Sequence, residues 1–381
     1  MASKSVAVLD IRSSEVAVFV GERGVNHTFI FKACKTEEYE GYQDGEFYDI
    51  SGLSDAVLRA VDGVEQICGE KIRSLYVGVP GDFVMVDTKE QVVGFPKRVK
   101  IGSRELQTLY ASGRQQYEGY RFIRVSSLFY NTTDNRRLSD PTGIYATGIT
   151  GSLSYFYCSE YFAATLEGIF SKKKTELHFL PTQFAMAIYL IPPETREETA
   201  ILLDVGYIAS TICVVQGNGV VTQSSFAVGQ GQIAVRIMQR FDLPYEAARA
   251  LLNRANLYLK RGAKNREFEY GGVYYEIPSE ELIDEVKAGL DDLCECVGGF
   301  LEMCSGTVLD SRPVYVTGEG LGGIRGAIEH LSNRLNCVCE PIAPKLPYYD
   351  KPEMSSRISL IDMAYEDSRS ENSGFWKRLF N

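Results

Sequence analysis

Long apolar runs are missing from this chain of 381 residues. No stretch approaches the roughly 18 apolar residues of a membrane-spanning helix. Met1 to Asp10 holds only a short apolar run and soon reaches an acid, so we expect neither a signal peptide nor a span there. Positive charge is scarce too. Lys and Arg number 40 against 50 Asp and Glu, a net charge of −10. With no basic stripe interleaved with aromatics, this argues against nucleic acid as a partner. Histidine is nearly absent: His27, His178 and His330 stand isolated, so no Ser–His–Asp or Cys–His arrangement can be placed. The nine cysteines are odd in number and contain no CxxC pair. They read as reduced cytosolic thiols used as small buried hydrophobes. Cys294-x-Cys296 and Cys337-x-Cys339 are half-sites at most, and no metal site is expected from them.

What the chain does contain, it contains twice. Ser5–Gly21 is an apolar β-rich run ending in Asp10, a short turn and a second β-rich run. Thr199–Gly217 repeats that order around Asp204. The two aspartates stand 194 residues apart. A period this long means two related halves, because solenoid repeats run to only about 20–50 residues. The length likewise exceeds the roughly 250–300 residues at which single cores stop growing. Two facing acidic turns suit a nucleotide–metal cleft.

The order along the chain is that of an α/β protein. A hairpin is followed by a helix over Ala56–Cys68, capped by Ser51 or Ser54, and by a strand, Ser74–Val79. Residues 83–158 read as short strands around one helix near Ser103–Tyr117: a small α+β domain inserted into the first half. A helix at Glu160–Ser171, a strand at Thr175–Leu180 and a helix at Pro181–Leu190 complete that half. In the second half, Gly229-Gln-Gly231 opens a helix, Pro244–Lys260 is helical, a hairpin lies near Gly262–Ile277, and Pro278–Cys304 is a long helix. Pro313–Gly326 then gives a strand, a glycine loop and a helix, a seat for an anion or nucleotide.

These motifs resemble the actin, Hsp70 and sugar-kinase superfamily. Asp10-Ile-Arg-Ser-Ser-Glu matches its first phosphate loop, Asp204-Val-Gly-Tyr-Ile-Ala-Ser-Thr its second, and Thr317-Gly-Glu-Gly-Leu-Gly-Gly its adenosine loop. An α+β insert directly after Tyr76-Val-Gly-Val-Pro-Gly81 resembles the bacterial cell-division family FtsA. So do Asp44-Gly-Glu-Phe-Tyr-Asp-Ile and Arg121-Phe-Ile-Arg-Val. The resemblance covers nearly the whole chain. It implies an α/β, actin-like, duplicated fold with the insert in the first half. The first half would comprise 1–82, 159–198 and about 345–367, with the insert at 83–158. The second would comprise 199–235 and 305–344, with a helix-and-hairpin subdomain at 236–304. Residues 368–381 would form a polar linker and a terminal helix.

The family's ending implies a membrane contact. Phe375, Trp376 (the only Trp), Leu379 and Phe380 share one helical face, with Lys377 and Arg378 beside it for anionic headgroups. One such tail is a marginal anchor, and many tails on one filament would hold by effective concentration. Implied nucleotide contacts are Asp10, Arg12, Ser13, Ser14, Asp204, Gly206, Gly229, Gly231, Gly318, Gly320, Gly322 and Gly323. Asp10 and Asp204 would hold Mg²⁺ if ATP with Mg binds.

Several residues depart from the family's pattern. Arg12 stands where the first loop usually has Gly, and Glu15 near a usual Lys. Tyr207 and Ile208 replace Gly-Gly, and Thr211 replaces an acid. Glycines let the backbone approach phosphate, which β-branched Ile resists. The strand ending Phe179-Leu180 offers no carboxylate or amide to orient a water. Hydrolysis of ATP is therefore not expected. Arg12 has three readings: a guanidinium neutralising one or both of Asp10 and Asp204 in a metal-free site, a phosphate contact, or a solvent-exposed side chain.

The implied role is a scaffold on the cytoplasmic face of the membrane at the division site. It would self-assemble, tether the C-terminal peptide of the tubulin-like FtsZ and recruit later division proteins. Glu246, Arg249, Arg254, Lys260 and Arg261 fall in the region resembling the FtsZ-binding subdomain. Arg98, Lys100 and Arg104 form a second basic cluster, in the insert. The rival readings are a PilM-like scaffold of a pilus or secretion system and an active ATPase or kinase of the same superfamily.

Overall fold

The repeated hairpin organises two sheets of identical connectivity. A computed structural model describes residues 5–24, 28–259, 265–304 and 312–372. The first half contains β1 (Val6–Ile11), β2 (Glu15–Arg23), β3 (Phe29–Glu38), the small hairpin β4 (Tyr42–Gln43) and β5 (Glu46–Phe47), α1 (Ile50–Cys68) and β6 (Ser74–Val79). The insert contains β7 (Val84–Lys100), α2 (Ser103–Ser112), β8 (Tyr120–Thr132), β9 (Arg137–Leu138) and β10 (Tyr145–Ser159). The chain returns to the first half through α3 (Glu160–Phe170), β11 (Glu176–Pro181) and α4 (Thr182–Leu190). It crosses to the second half after the short α5 (Pro193–Arg196).

The second half contains β12 (Ala200–Val205), β13 (Ser210–Gln216), β14 (Gly219–Phe226), α6 (Gln230–Phe241) and α7 (Tyr245–Leu252). The hairpin β15 (Arg266–Tyr270) and β16 (Val273–Ile277) follows, then α8 (Ser279–Met303), β17 (Val314–Thr317), α9 (Ala327–Leu335) and β18 (Cys339–Pro341). Helix α10 (Ser355–Asn372) returns to the first half.

The first sheet runs β11-β6-β1-β2-β3 and the second β18-β17-β12-β13-β14. In each, the first strand of the repeat pairs antiparallel with the second and parallel with a later strand. The two aspartates thus reach the same place, Asp10 opposite Ala17 and Asp204 opposite Thr211. One face of the second sheet, with Ile201, Leu203, Ile212 and Val214, packs with the helices of its own half. The other, with Leu202, Cys213 and Val215, joins the core of the first half. Period-2 alternation makes this possible, since successive side chains take opposite faces.

Several sequence expectations change. The first helix begins at Ile50, because Asp49 is its N-cap and accepts from the N–H groups of Ser51 and Gly52. The serines do not cap it. The insert's strands are long, not short: β7 has 17 residues and β10 has 15. Pro181 ends β11 rather than opening α4, which starts at Thr182. Helix α7 stops at Leu252, far short of Lys260. Residues 368–372 are helical rather than linker, since α10 extends to Asn372. The bidentate Arg124–Asp367 pair (2.7 and 3.1 Å) and the buried Ser368 hold that end of the helix on the protein. Residues 373–381, with the expected membrane-binding side chains, lie outside the described residues, as do Lys260 and Arg261.

The insert packs α2 on one face of its sheet, ordered β7-β10-β8-β9. The base of the sheet is fastened to the second half. Thr88 Oγ1 and Ser154 Oγ both donate to the Val220 carbonyl, at 3.0 and 2.7 Å. The Asn218 N–H donates to the Ser127 carbonyl at 3.1 Å. At the tip of that hairpin Gly217 has φ +55°, and a Cβ there would collide with the Leu128 carbonyl. Only glycine combines this conformation with that approach.

Candidate functional site: the cleft between the two aspartate turns

Both turns of the repeat face one small cleft, and they touch. Asp10 is fully buried at the end of β1. Its Oδ2 accepts from Ser356 Oγ at 2.7 Å, and Arg357 Nε lies 3.8 Å away. Arg357 also pairs with Glu15. Burial raises the Glu15 carboxyl above its ordinary value, and Arg357 opposes that rise. Across the cleft, Gln183 Nε2 approaches Asp204 Oδ2 at 3.5 Å. Ser13 Oγ accepts from the Ile208 N–H at 3.0 Å, joining the first turn to the second.

Arg12 lies at the centre. Its side chain is only 9% exposed. Nη1 donates to the Glu353 carbonyl at 2.9 Å and lies 3.7 Å from Glu319 Oε2. Burial disfavours this charge, but Glu319, Asp10, Asp204 and Glu15 more than offset it, so the guanidinium stays ionised. Asp204 shows the opposite balance. Burial pushes its carboxyl up to about 6; Arg12 pulls it down, and Glu319 and Asp10 add to the rise. Of the three readings of Arg12, solvent exposure is excluded. Its direct ion-pair partner is Glu319, and Asp10 is bound instead by Ser356 and Arg357.

The cavity left between these groups is about 30 Å³, lined by Asp10, Arg12, Gln183, Asp204 and Glu319 among others. That is room for about one water. Four buried atoms around it, Asp10 Oδ1, Thr182 Oγ1, Gln183 Oε1 and Glu319 Oε1, have no hydrogen-bond partner among the described residues. With Arg12 in this position, magnesium with a triphosphate does not fit between the two turns. The space is too small, a cation is already built in, and the turn N–H at Ile208 is engaged. Among the described residues no group of three or more His, Cys, Asp or Glu is arranged to hold a metal ion.

The expected glycine seats are also used internally. The Gly229 N–H donates to Gln232 Oε1 at 2.8 Å, and those of Gln230 and Gly231 to the carbonyls of Gly206 and Tyr207, at 3.1 and 2.7 Å. The N-terminus of α6 therefore binds the second turn rather than an anion. Gly318, at φ +94°, and Gly320 press on Val205, with the Gly320 N–H donating to its carbonyl at 2.8 Å. Gly322 and Gly323 do not line the cavity, and Gly323 abuts Asn253. Ser14 contributes its carbonyl to the Tyr39 N–H at 3.2 Å.

One expectation is overturned outright. An amide is available beside Phe179-Leu180, because Gln183 in the first turn of α4 points into the cavity. Glu319, Ser356 and Arg357 are further site residues that pattern reading missed. Glu319 lies inside the glycine loop, but nothing local marks it as the partner of Arg12. In the region of Glu246–Arg261, Arg249 stacks 4.9 Å over Tyr207 and Arg254 5.7 Å over Phe268, so both rest on aromatic rings. His178 stacks on Tyr76 and His330 meets Asp291, away from the cleft.

No family model matches the chain. The cell division protein FtsA of Pseudomonas aeruginosa is 19% identical over 334 residues, covering 86% of this chain and 80% of that protein. Among solved structures, the PilM–PilN type IV pilus biogenesis complex matches with a TM-score of 0.64 and 12% identity, over 94% of this chain and 98% of that one. MreB5 of Spiroplasma citri bound to AMPPNP matches with a TM-score of 0.58 and 10% identity, over 98% and 99%. The chain has the actin-like ATPase fold. In sequence it resembles FtsA, as a divergent relative.

Proposed function

We propose that this protein is an actin-fold scaffold whose cleft is held shut by its own Arg12, and that it works by assembly and tethering rather than by turnover. The observation that carries the reading is the closed cleft: Arg12 fixed to Glu353 and Glu319, with Ser13 joined to Ile208. A nucleotide enters only if these contacts part and the halves separate, as the fold's nucleotide-bound member MreB5 gives reason to test.

The likeness to FtsA supports reading the scaffold as one that would polymerise on the inner face of the membrane, tether FtsZ filaments and recruit later division proteins. Residues 374–381 would supply the membrane contact. The test is capture of the purified chain by an immobilised FtsZ C-terminal peptide, run beside calorimetric titration with ATP and Mg²⁺. Capture without micromolar, Mg-dependent binding is expected. Micromolar Mg-dependent ATP binding would sink the closed-cleft reading, and absence of capture would sink the tethering role.

A second reading is supported by the structural likeness to PilM, a component of a pilus assembly complex. Deleting Phe375–Asn381 separates the two. Loss of membrane localisation favours the division scaffold, and unchanged localisation favours the pilus type. An ATPase or kinase remains the third reading. It is tested by a turnover assay in which Gln183→Ala should abolish any hydrolysis seen.

A further inference from the structure

We propose that Cys337 and Cys339 are a redox-active dithiol, which reacts with low-molecular-weight disulfides and closes to an internal disulfide. The proposal is independent of the scaffold reading above. Helix α9 ends at Leu335, Asn336 turns the chain at φ +50°, and β18 begins at Cys339. Ser332 fixes the link between them. Its carbonyl accepts from the Cys337 N–H at 3.3 Å, and its Oγ from the Cys339 N–H at 3.0 Å. The Val338 carbonyl accepts from the Val314 N–H at 2.8 Å. Val338 is 57% exposed, while Cys337 and Cys339 pack into the core of the second half. Alternate residues share a face, so the two thiols stand side by side. They are hydrogen-bonded to each other.

That bond divides the pair into two roles. The Cys339 S–H donates to Cys337 and holds the Cys337 thiol below its ordinary value, against the opposing effect of burial. Cys339 is buried and keeps its proton. Cys337 is only half-buried, so a small reagent reaches the sulfur that ionises more readily. Elsewhere burial dominates. It pushes the thiols of Cys158, Cys213 and Cys294 up to about 12, which leaves them inert at neutral pH. Cys294, on α8, belongs to the same core cluster as the pair without sharing its activation.

The exchange balances in two steps. The Cys337 thiolate attacks one sulfur of a small disulfide R–S–S–R. A sulfur–sulfur bond forms at Cys337, and RS⁻ leaves and takes up a proton. Cys339 then gives up its proton and attacks Cys337 Sγ, the mixed disulfide breaks, and the second RS⁻ leaves and is protonated. Two electrons pass from the protein thiols to the small disulfide, and two molecules of RSH are released. The product ties the turn after α9 to the first residue of β18, the outermost strand of the second sheet.

The test treats the folded full chain with excess oxidised glutathione at pH 7, alkylates the remaining thiols and maps the cysteines by mass spectrometry. The expected product is a Cys337–Cys339 disulfide, with Cys294 still alkylated. Cys339→Ala should stop at a mixed disulfide of Cys337 with glutathione. It also removes the S–H donor, so alkylation of Cys337 by iodoacetamide at pH 7 should slow about tenfold, with its pH profile moved upward. Cys337→Ala should abolish disulfide formation, and Cys294→Ala should leave its rate unchanged. Absence of the Cys337–Cys339 disulfide in the full chain would overturn the proposal. So would a disulfide made through Cys294, or a Cys337 alkylation profile that Cys339→Ala, with unchanged melting, does not move.

Discussion

Replacing Arg12 by Met tests the closed cleft most directly. Methionine keeps much of the side chain's bulk and removes its charge. Asp204 and Glu319 then face each other, and the buried Asp10, without the guanidinium. Breaking a buried ion pair from one side costs about 3–5 kcal/mol, because the remaining charges stay desolvated. At about 2 °C per kcal/mol for a chain of this size, melting at pH 7.5 should fall by roughly 6–10 °C. Acid should relieve the deficit, and the sign follows from Asp204. Its folded value, about 6, lies above the ordinary 3.8, so its contribution to stability is full below pH 3.8 and is lost as pH rises through about 6. Without Arg12, which holds that value down, the window moves upward. The variant's deficit should therefore shrink as pH falls from 7.5 to 5. Calorimetric melting of both proteins between pH 5 and 8 reads this directly. Millimolar Mg²⁺ should raise the melting of the variant and leave the parent unchanged. Equal melting of the two across that range would refute the idea that Arg12 neutralises the site.

Ser13→Ala removes the acceptor for the Ile208 N–H, a loss of about 1 kcal/mol, and hydrogen exchange at that amide should speed about fivefold. Asp82 should add a second acid-side response: burial pushes its carboxyl up to about 6, so its contribution too is lost as pH rises through that value, read from its side-chain chemical shift. Asp367→Asn breaks the bidentate pair with Arg124 and should cost about 2 kcal/mol, with exchange rising first in the last described turns of α10. Gly217→Ala combines a left-handed backbone with a collision against Leu128 and should lower melting by more than 2 kcal/mol's worth, while Gly69→Ala, in open space at φ +72°, should cost about 1.

Much of the fold was legible because its signals are local. Each hairpin announces itself by alternation, and its repetition announces two halves. The insert's position follows from where the strand Ser74–Val79 ends. What escaped was set by context. The polar distal part of β7 pairs with β10 through its backbone, and its exposed Lys97, Arg98 and Lys100 conceal the strand from any reading by hydrophobicity. The end of α10 is polar and rich in Ser, which reads as linker. Asp367 pairs with Arg124, 243 residues away, a contact that no neighbouring residue predicts.

The site divides along the same line. The aspartates, Arg12 and the glycine loop stand in recognisable motifs, and the presence of Arg12 where glycine belongs was enough to question phosphate binding. Where its charge goes was not readable. Arg12 donates to a carbonyl 341 residues away, and the groups that bind Asp10 are 346 and 347 positions further along the chain. Gln183 illustrates the converse error. Looking for an amide at the end of β11 fails, because Pro181 ends the strand and the first turn of α4 carries the side chain into the cleft. A helical residue reaches back over the turn before it, so a cavity at the end of a strand is furnished by the helix that follows. Gln183 thus keeps the means to orient a water in a cleft whose phosphate seats are filled, and a variant lacking Arg12 is the one in which its retained chemistry becomes measurable.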